Sequence, residues 1–182
     1  GHISPMFYSI LAHRGYFPVA ELATFRRLGT RLQGHPTTAE GLPGVRVASG
    51  SLGQGLSVAV GVAQAKKLAN DNHLVYVLMG DGEQEEGQIW EAAMYAPAKN
   101  VDNIVAIVDY NKKQIDGPTD DVLSLGDLRA KYESFGWKVW ECNGNDMQEL
   151  VDTFNKIREN AHKGQSQILL AHTEMGMGVD FM

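Results

Sequence analysis

Four short apolar runs, each separated from the next by a segment of helical character, constrain this chain more than any other feature. They occupy residues 74–79, 104–108, 137–141 and 168–171. Between them, residues 87–98 read as a helix with Pro97 marking its end. Residues 128–135 read as a helix stopped by Gly136, and Asp146 is placed to cap another from 147 to about 160. Strands with little polar interruption are buried on both faces. The expected fold class is therefore α/β, a mostly parallel sheet with helices on both faces and right-handed crossovers.

The part of the chain before these strands reads differently. Residues 6–12 predict a buried helix that stops near Gly15, and a second helix is predicted after Pro18, through Glu21, Leu22 and Phe25 toward Gly29. Residues 30–50 hold four glycines and two prolines with no sustained period, a long loop of the kind that is usually functional in a compact domain. The glycine-rich stretch Ser49-Gly50-Ser51-Leu52-Gly53-Gln54-Gly55 then runs into a helix. Ser51 is its expected N-cap, and Lys66 and Lys67 suit the negative pole at its far end.

Bulk properties exclude several classes of function. The 182 residues carry a net charge of −6, from 22 acidic against 16 basic side chains, which gives no general attraction for nucleic acid or an anionic membrane. Arg26, Arg27 and Arg31 are read as a solvated helix end. No apolar stretch approaches the roughly 20 residues of a membrane-spanning helix. The single cysteine, Cys142, has no partner for an internal disulfide and is read as a small buried hydrophobe. One domain is expected over residues 1–182, incomplete at both ends, since the chain begins at Gly1 with a helix starting almost at once.

In parallel sheets, ligands collect at the carboxyl ends of the strands. The first strand ends in Gly80-Asp81-Gly82 and the second in Asp109-Tyr110-Asn111, with 29 residues between Asp81 and Asn111. That length accommodates a helix and a return strand, which would set a carboxylate and an amide above neighbouring strands. Their oxygens, with a backbone carbonyl, are hard ligands that leave room around Mg²⁺ for water and phosphate oxygens. The glycines flanking Asp81 would let a diphosphate approach the backbone. By itself, Gly80-Asp81-Gly82 is equally compatible with an Asp-Gly turn after a core strand, and Asn111 with an ordinary turn.

Taken together, these motifs resemble the transketolase family. Gly80-Asp81-Gly82-Glu83, Glu86-Gly87, Trp90-Glu91-Ala92 and Asp109-Tyr110-Asn111-Lys112 are similar to its thiamine diphosphate signature. The likeness extends in order through Gly1-His2 with Pro5, Gly34-His35-Pro36, Gly50 to Gly55, and Phe135-Gly136-Trp137. It implies a three-layer thiamine diphosphate-binding fold, of which this chain is the N-terminal, diphosphate-binding module. Asp81, the Asn111 side chain and the Lys113 backbone carbonyl would hold Mg²⁺, and Gly80 and Gly82 would border the diphosphate. His2 and His35 would line the reactive end of the cofactor, with Gly50 and Leu52 on its aminopyrimidine side. Glu86, with Glu91 as a weaker candidate, would join a glutamate network between subunits. Tyr110 departs from the Asn or Asp often found before the second ligand, but the ligand is the residue that follows it.

The resemblance also implies an activity: transfer of a two-carbon ketol unit from a ketose phosphate to an aldose phosphate, in the pentose phosphate pathway and the cytoplasm. No residue here resembles the glutamate that activates the aminopyrimidine, so a pyrimidine-binding module or C-terminal subunit is an expected partner, in a dimer of halves or a heterotetramer. Two other readings stay open. One is another thiamine enzyme, such as deoxyxylulose-phosphate synthase or a dehydrogenase component. The other is a non-catalytic nucleotide-binding α/β protein, for which Gly53-Gln54-Gly55 supplies only part of Gly-x-Gly-x-x-Gly. His13, His73, His162 and His172 lie outside every motif and read as surface or strand-end residues.

Overall fold

A computed structural model describes residues 1–181 and divides the chain into two compact units, Gly1–Leu52 and a larger one from Gly53 onward. In the first, helix α1 (Ser4–His13) presents Tyr8, Leu11 and Ala12 to a small core that also contains Phe17, Leu32, Leu42 and Val45. The long loop wraps this core. The segment after Pro18 does not form the helix expected as far as Gly29. It makes a 3-10 turn at Val19–Thr24, after which Phe25 takes an extended ψ of 127° and Arg26 a φ of 59°. Arg26 then donates its N–H to the Leu32 carbonyl, turning the chain back on itself. Arg31 is no solvated helix end either. Its guanidinium grips Glu21 through two hydrogen bonds, of 2.5 and 2.8 Å.

The second unit opens with α2 (Gln54–Leu68). Its N-cap is Gly53, at φ 81°, rather than the expected Ser51. The other elements are β1 (Val75–Gly80), α3 (Gly87–Ala98), β2 (Ile104–Tyr110), a small hairpin of β3 (Lys113–Gln114) and β4 (Gly117–Pro118), α4 (Thr119–Leu123), α5 (Leu128–Ser134), β5 (Lys138–Asn143), α6 (Met147–Glu159) and β6 (Gln167–His172). Four strands form one parallel sheet in the order β1-β2-β6-β5. Period-2 alternation divides its side chains. Ala106, Val108, Ile168 and Leu170 meet α2, α3 and α5 on one face, while Val105, Leu169 and Ala171 meet Ile157 of α6 on the other. The expected parallel α/β architecture is what the chain forms, and Cys142 is buried in β5 as expected. At the edge of the sheet, β1 leaves Tyr76 48% and Leu78 54% exposed. On that face Phe154 of α6 meets Tyr76.

Two local devices complete helices of this unit. Asp146 caps α6 by accepting from the N–H groups of Gln148 and Glu149. Pro97 lies inside the last turn of α3 and has no N–H for the Ala93 carbonyl. The indole N–H of Trp137, just before β5, donates to that carbonyl at 2.7 Å instead. Among the described residues, no helix is long and apolar enough to cross a membrane.

Candidate functional site

Strands β1 and β2 are hydrogen-bonded neighbours in register Gly80 to Asp109, so the two motif segments leave the sheet side by side. A one-turn 3-10 helix, Gly82–Glu85, follows β1, and Asp81 caps it by accepting from the Gly82 N–H at 2.8 Å. The other carboxylate oxygen of Asp81 accepts from the N–H of Lys112, the residue after Asn111. The carboxylate is 1% exposed and fixed across the two strand ends. Burial pushes its pKa above the ordinary carboxylate range. The two N–H groups oppose that rise, and the charge of Asp109 adds to it.

The loop after β2 is equally constrained. Asn111 accepts the Lys113 N–H on its side-chain oxygen at 2.9 Å and donates its amide to Asp109 at 3.3 Å. Asp109 accepts from the hydroxyl of Thr173, the residue that follows β6. The amide of Asn111 is therefore oriented, and the β3–β4 hairpin that starts at Lys113 closes the loop. An ionised carboxylate has about four lone-pair positions, so Asp81 retains acceptor capacity after its two N–H bonds. One carboxylate, one amide oxygen and a nearby backbone carbonyl suit a hard divalent cation bound to phosphate oxygens. Among the described residues, no three His, Cys, Asp or Glu side chains group as metal ligands. A site built on one carboxylate, an amide and a carbonyl needs no such group.

Three consecutive side chains behind Asp81 give no sign of their roles in the sequence, where Glu83, Gln84 and Glu85 read with Glu86 as an acidic turn. Glu83 accepts from the N–H of Gly53 at 2.8 Å and from that of Gly80 at 3.3 Å, joining the start of α2 to the end of β1. Gln84 is fully buried. It donates to the Gly80 carbonyl at 3.0 Å and accepts from the Tyr132 hydroxyl at 2.6 Å. Glu85 accepts from Gln114 of the hairpin at 2.8 Å. A methyl group on Gly82 would come 2.9 Å from Cβ of Gln114, so the 3-10 turn and the hairpin are in close contact there. Glu86, in contrast, is exposed at the N-cap of α3 beside Gly53, where an added Cβ would lie 2.8 Å from its own. Glu91 lies further along α3, on an open groove with Ser57, Val60 and Tyr95.

The first unit gathers its own candidates. His2 and His35 are both exposed and meet edge to face, with ring centroids 4.9 Å apart. The segment carrying His35 is fixed on both sides. Ser4, at the start of α1, donates to the Gly34 carbonyl at 2.6 Å, and Tyr8, one turn later on the same face, donates to that of Gln33 at 2.9 Å. The Ser49 N–H donates to the Pro36 carbonyl at 3.1 Å. This brings Gly50, at φ 144°, against the His35 ring, while Leu52 is 38% exposed. The structure thus brings Asp81, Gly82 and the loop 111–113 together in one unit, and His2, His35 and Gly50 together in the other.

A parallel sheet with a buried carboxylate and a fixed asparagine loop at the carboxyl ends of two neighbouring strands is an α/β module with a constrained polar site there. Comparison with known proteins makes the class specific. Residues 1–181 match the family described as transketolase, thiamine diphosphate binding domain, and the chain belongs to that family. It is 42% identical over its whole length to one of the subunits of the apulose-4-phosphate transketolase of Phocaeicola vulgatus, covering 63% of that protein. It is 40% identical over 181 residues to the 6-deoxy-6-sulfo-D-fructose transketolase subunit SqwG of a Clostridium species, covering 65%. The chain thus spans less than two thirds of the length of these relatives. The crystal structure of transketolase from Campylobacter jejuni superposes with a TM-score of 0.86 at 30% identity, over 98% of this chain and 29% of that one.

Proposed function

We propose that this chain supplies the Mg²⁺–thiamine diphosphate site of an enzyme that moves a two-carbon ketol unit from a ketose phosphate to an aldose phosphate. The observation that carries this reading is the Asp81 carboxylate, buried and held at once by the N–H groups of Gly82 and Lys112. The bond to the Lys112 N–H ties the carboxylate to the loop that carries Asn111, and the family match supports thiamine diphosphate as the ligand. Asp81, Asn111 and the Lys113 carbonyl hold the metal, and Gly82 lends its N–H side to the diphosphate. When bound, thiamine diphosphate supplies a carbon nucleophile and an electron sink.

The chain's own residues then bind and orient. His2 and His35, exposed and in mutual contact, meet the substrate hydroxyls and carry protons there; Gly50 and Leu52 offer backbone to the aminopyrimidine side. Glu86, exposed at the start of α3, reaches the site of a second subunit. The two relatives are named for ketoses with an anionic group, a phosphate in one and a sulfonate in the other, which supports a donor of that chemistry. Both are named as subunits, which supports completion by a pyrimidine-binding module in a dimer of halves or a heterotetramer. A cytoplasmic setting and pentose phosphate substrates complete the reading. Asp81→Ala tests it: metal-dependent binding of thiamine diphosphate in the assembled enzyme, followed by titration calorimetry, should be lost while the circular dichroism spectrum is kept. Unchanged affinity in that variant contradicts the assignment.

A further inference from the structure

We propose that Gln84, held by Tyr132, is a positioning residue that fixes the last peptide of β1 so that Asp81 presents its carboxylate to the metal. The inference rests on the reading of Asp81 as a metal ligand. Gly80 precedes Asp81 and has no side chain to anchor it. A Cβ built there would meet nothing within 4 Å, so its peptide groups are the available handles. Glu83 takes the N–H side at 3.3 Å and Gln84 the carbonyl side at 3.0 Å. Two consecutive residues of the 3-10 turn therefore reach back and grip the residue that launches the turn.

Gln84 is an expensive choice for a site that is 0% exposed, because burying an amide is unfavourable unless both of its ends are bonded. An aliphatic side chain would fill the same space without needing a partner. What the amide adds is the hold on the Gly80 carbonyl, and Tyr132 satisfies its remaining end at 2.6 Å. Tyr132 is itself rigid: fully buried in α5, with ring contacts to Trp90 at 5.5 Å and Trp137 at 5.6 Å. Burial also raises its pKa, so the hydroxyl remains a donor at neutral pH. Fixation thus runs from the core of α5 through Tyr132 and Gln84 to Gly80, and from there to the metal carboxylate.

The test separates positioning from mere stability. Tyr132→Phe strands the Gln84 acceptor in the core, whereas Tyr132→Phe combined with Gln84→Met removes that stranded end and should recover part of the thermal stability, the Gly80 carbonyl alone having lost its side-chain donor. Mn²⁺ is titrated by electron paramagnetic resonance, with thiamine diphosphate present, into the full chain assembled with its pyrimidine-binding module. The single variant is expected to bind about tenfold more weakly, and the double variant to stay about tenfold weak although its melting temperature rises above that of the single variant. A double variant whose affinity returns together with its stability overturns the proposal while leaving Asp81 as ligand. Failure of the unsubstituted protein to bind, or unchanged binding by Asp81→Ala, overturns the metal-site reading and this proposal with it.

Discussion

A methyl group at Gly50 would run into the imidazole of His35, closest at Cδ2, and would have to do so at a φ of 144° that side chains rarely adopt. Gly50→Ala should therefore displace the His35 ring rather than merely soften the loop, with a stability cost of about 1–3 kcal/mol from backbone strain. The His2 and His35 ring resonances in an NMR spectrum would report it: a changed His35 shift with lower ketol-transfer kcat/KM is expected. Unperturbed rings would mean that the contact does not set the histidine's orientation. Residues of this kind differ in how readily a sequence discloses them. Asp81 and Asn111 stand at the ends of apolar runs, where topology fixes their proximity, so both are legible as candidates. Glu83, Gln84 and Tyr132 are not, because a buried amide 48 residues from its hydroxyl partner leaves no periodic trace.

Helix α3 depends on a partner outside itself. The Ala93 carbonyl, which Pro97 cannot serve, is taken by Trp137 across 44 residues. Trp137→Phe should cost about 1–3 kcal/mol through the stranded acceptor alone, or roughly 2–12 °C in melting temperature for a chain of this size, with lost packing adding to it. Pro97→Ala restores an N–H one turn below that carbonyl and should recover part of the loss in the double variant. Additive losses, measured by thermal melts, would show that the indole bond is not what completes the helix. The regular elements are readable because their periods are long and their stops explicit: Gly136 after α5 sits at φ 98°, and Asp146 caps α6. The irregular ones are not. The segment after Pro18 carries an apolar pattern that suits a helix, but Arg26 turns left-handed to pair with Leu32. Ser51 has the chemistry of a cap, yet Gly53 takes the position because its N–H is bonded to Glu83 and its φ is positive.

At the scale of the whole molecule, the proposed function makes this chain one half of a working site. It belongs to a family of thiamine diphosphate-binding domains, and Asp81 and Asn111 are its proposed metal ligands. No carboxylate in it is read as the activator of the aminopyrimidine. Glu86 stands exposed at the N-terminal end of α3, and α2 and α3 together leave Val58, Val62, Met94 and Tyr95 partly exposed, an apolar presence compatible with covering by another protein chain. The most direct measurement supplies the purified chain with Mg²⁺, thiamine diphosphate and a ketose–aldose phosphate pair, and follows ketol transfer before and after addition of a pyrimidine-binding module. No turnover is expected from the chain alone, and turnover is expected after mixing, abolished by Asp81→Ala. Robust turnover by the solitary chain, or full activity of the mixture carrying Asp81→Ala, would contradict the half-site reading.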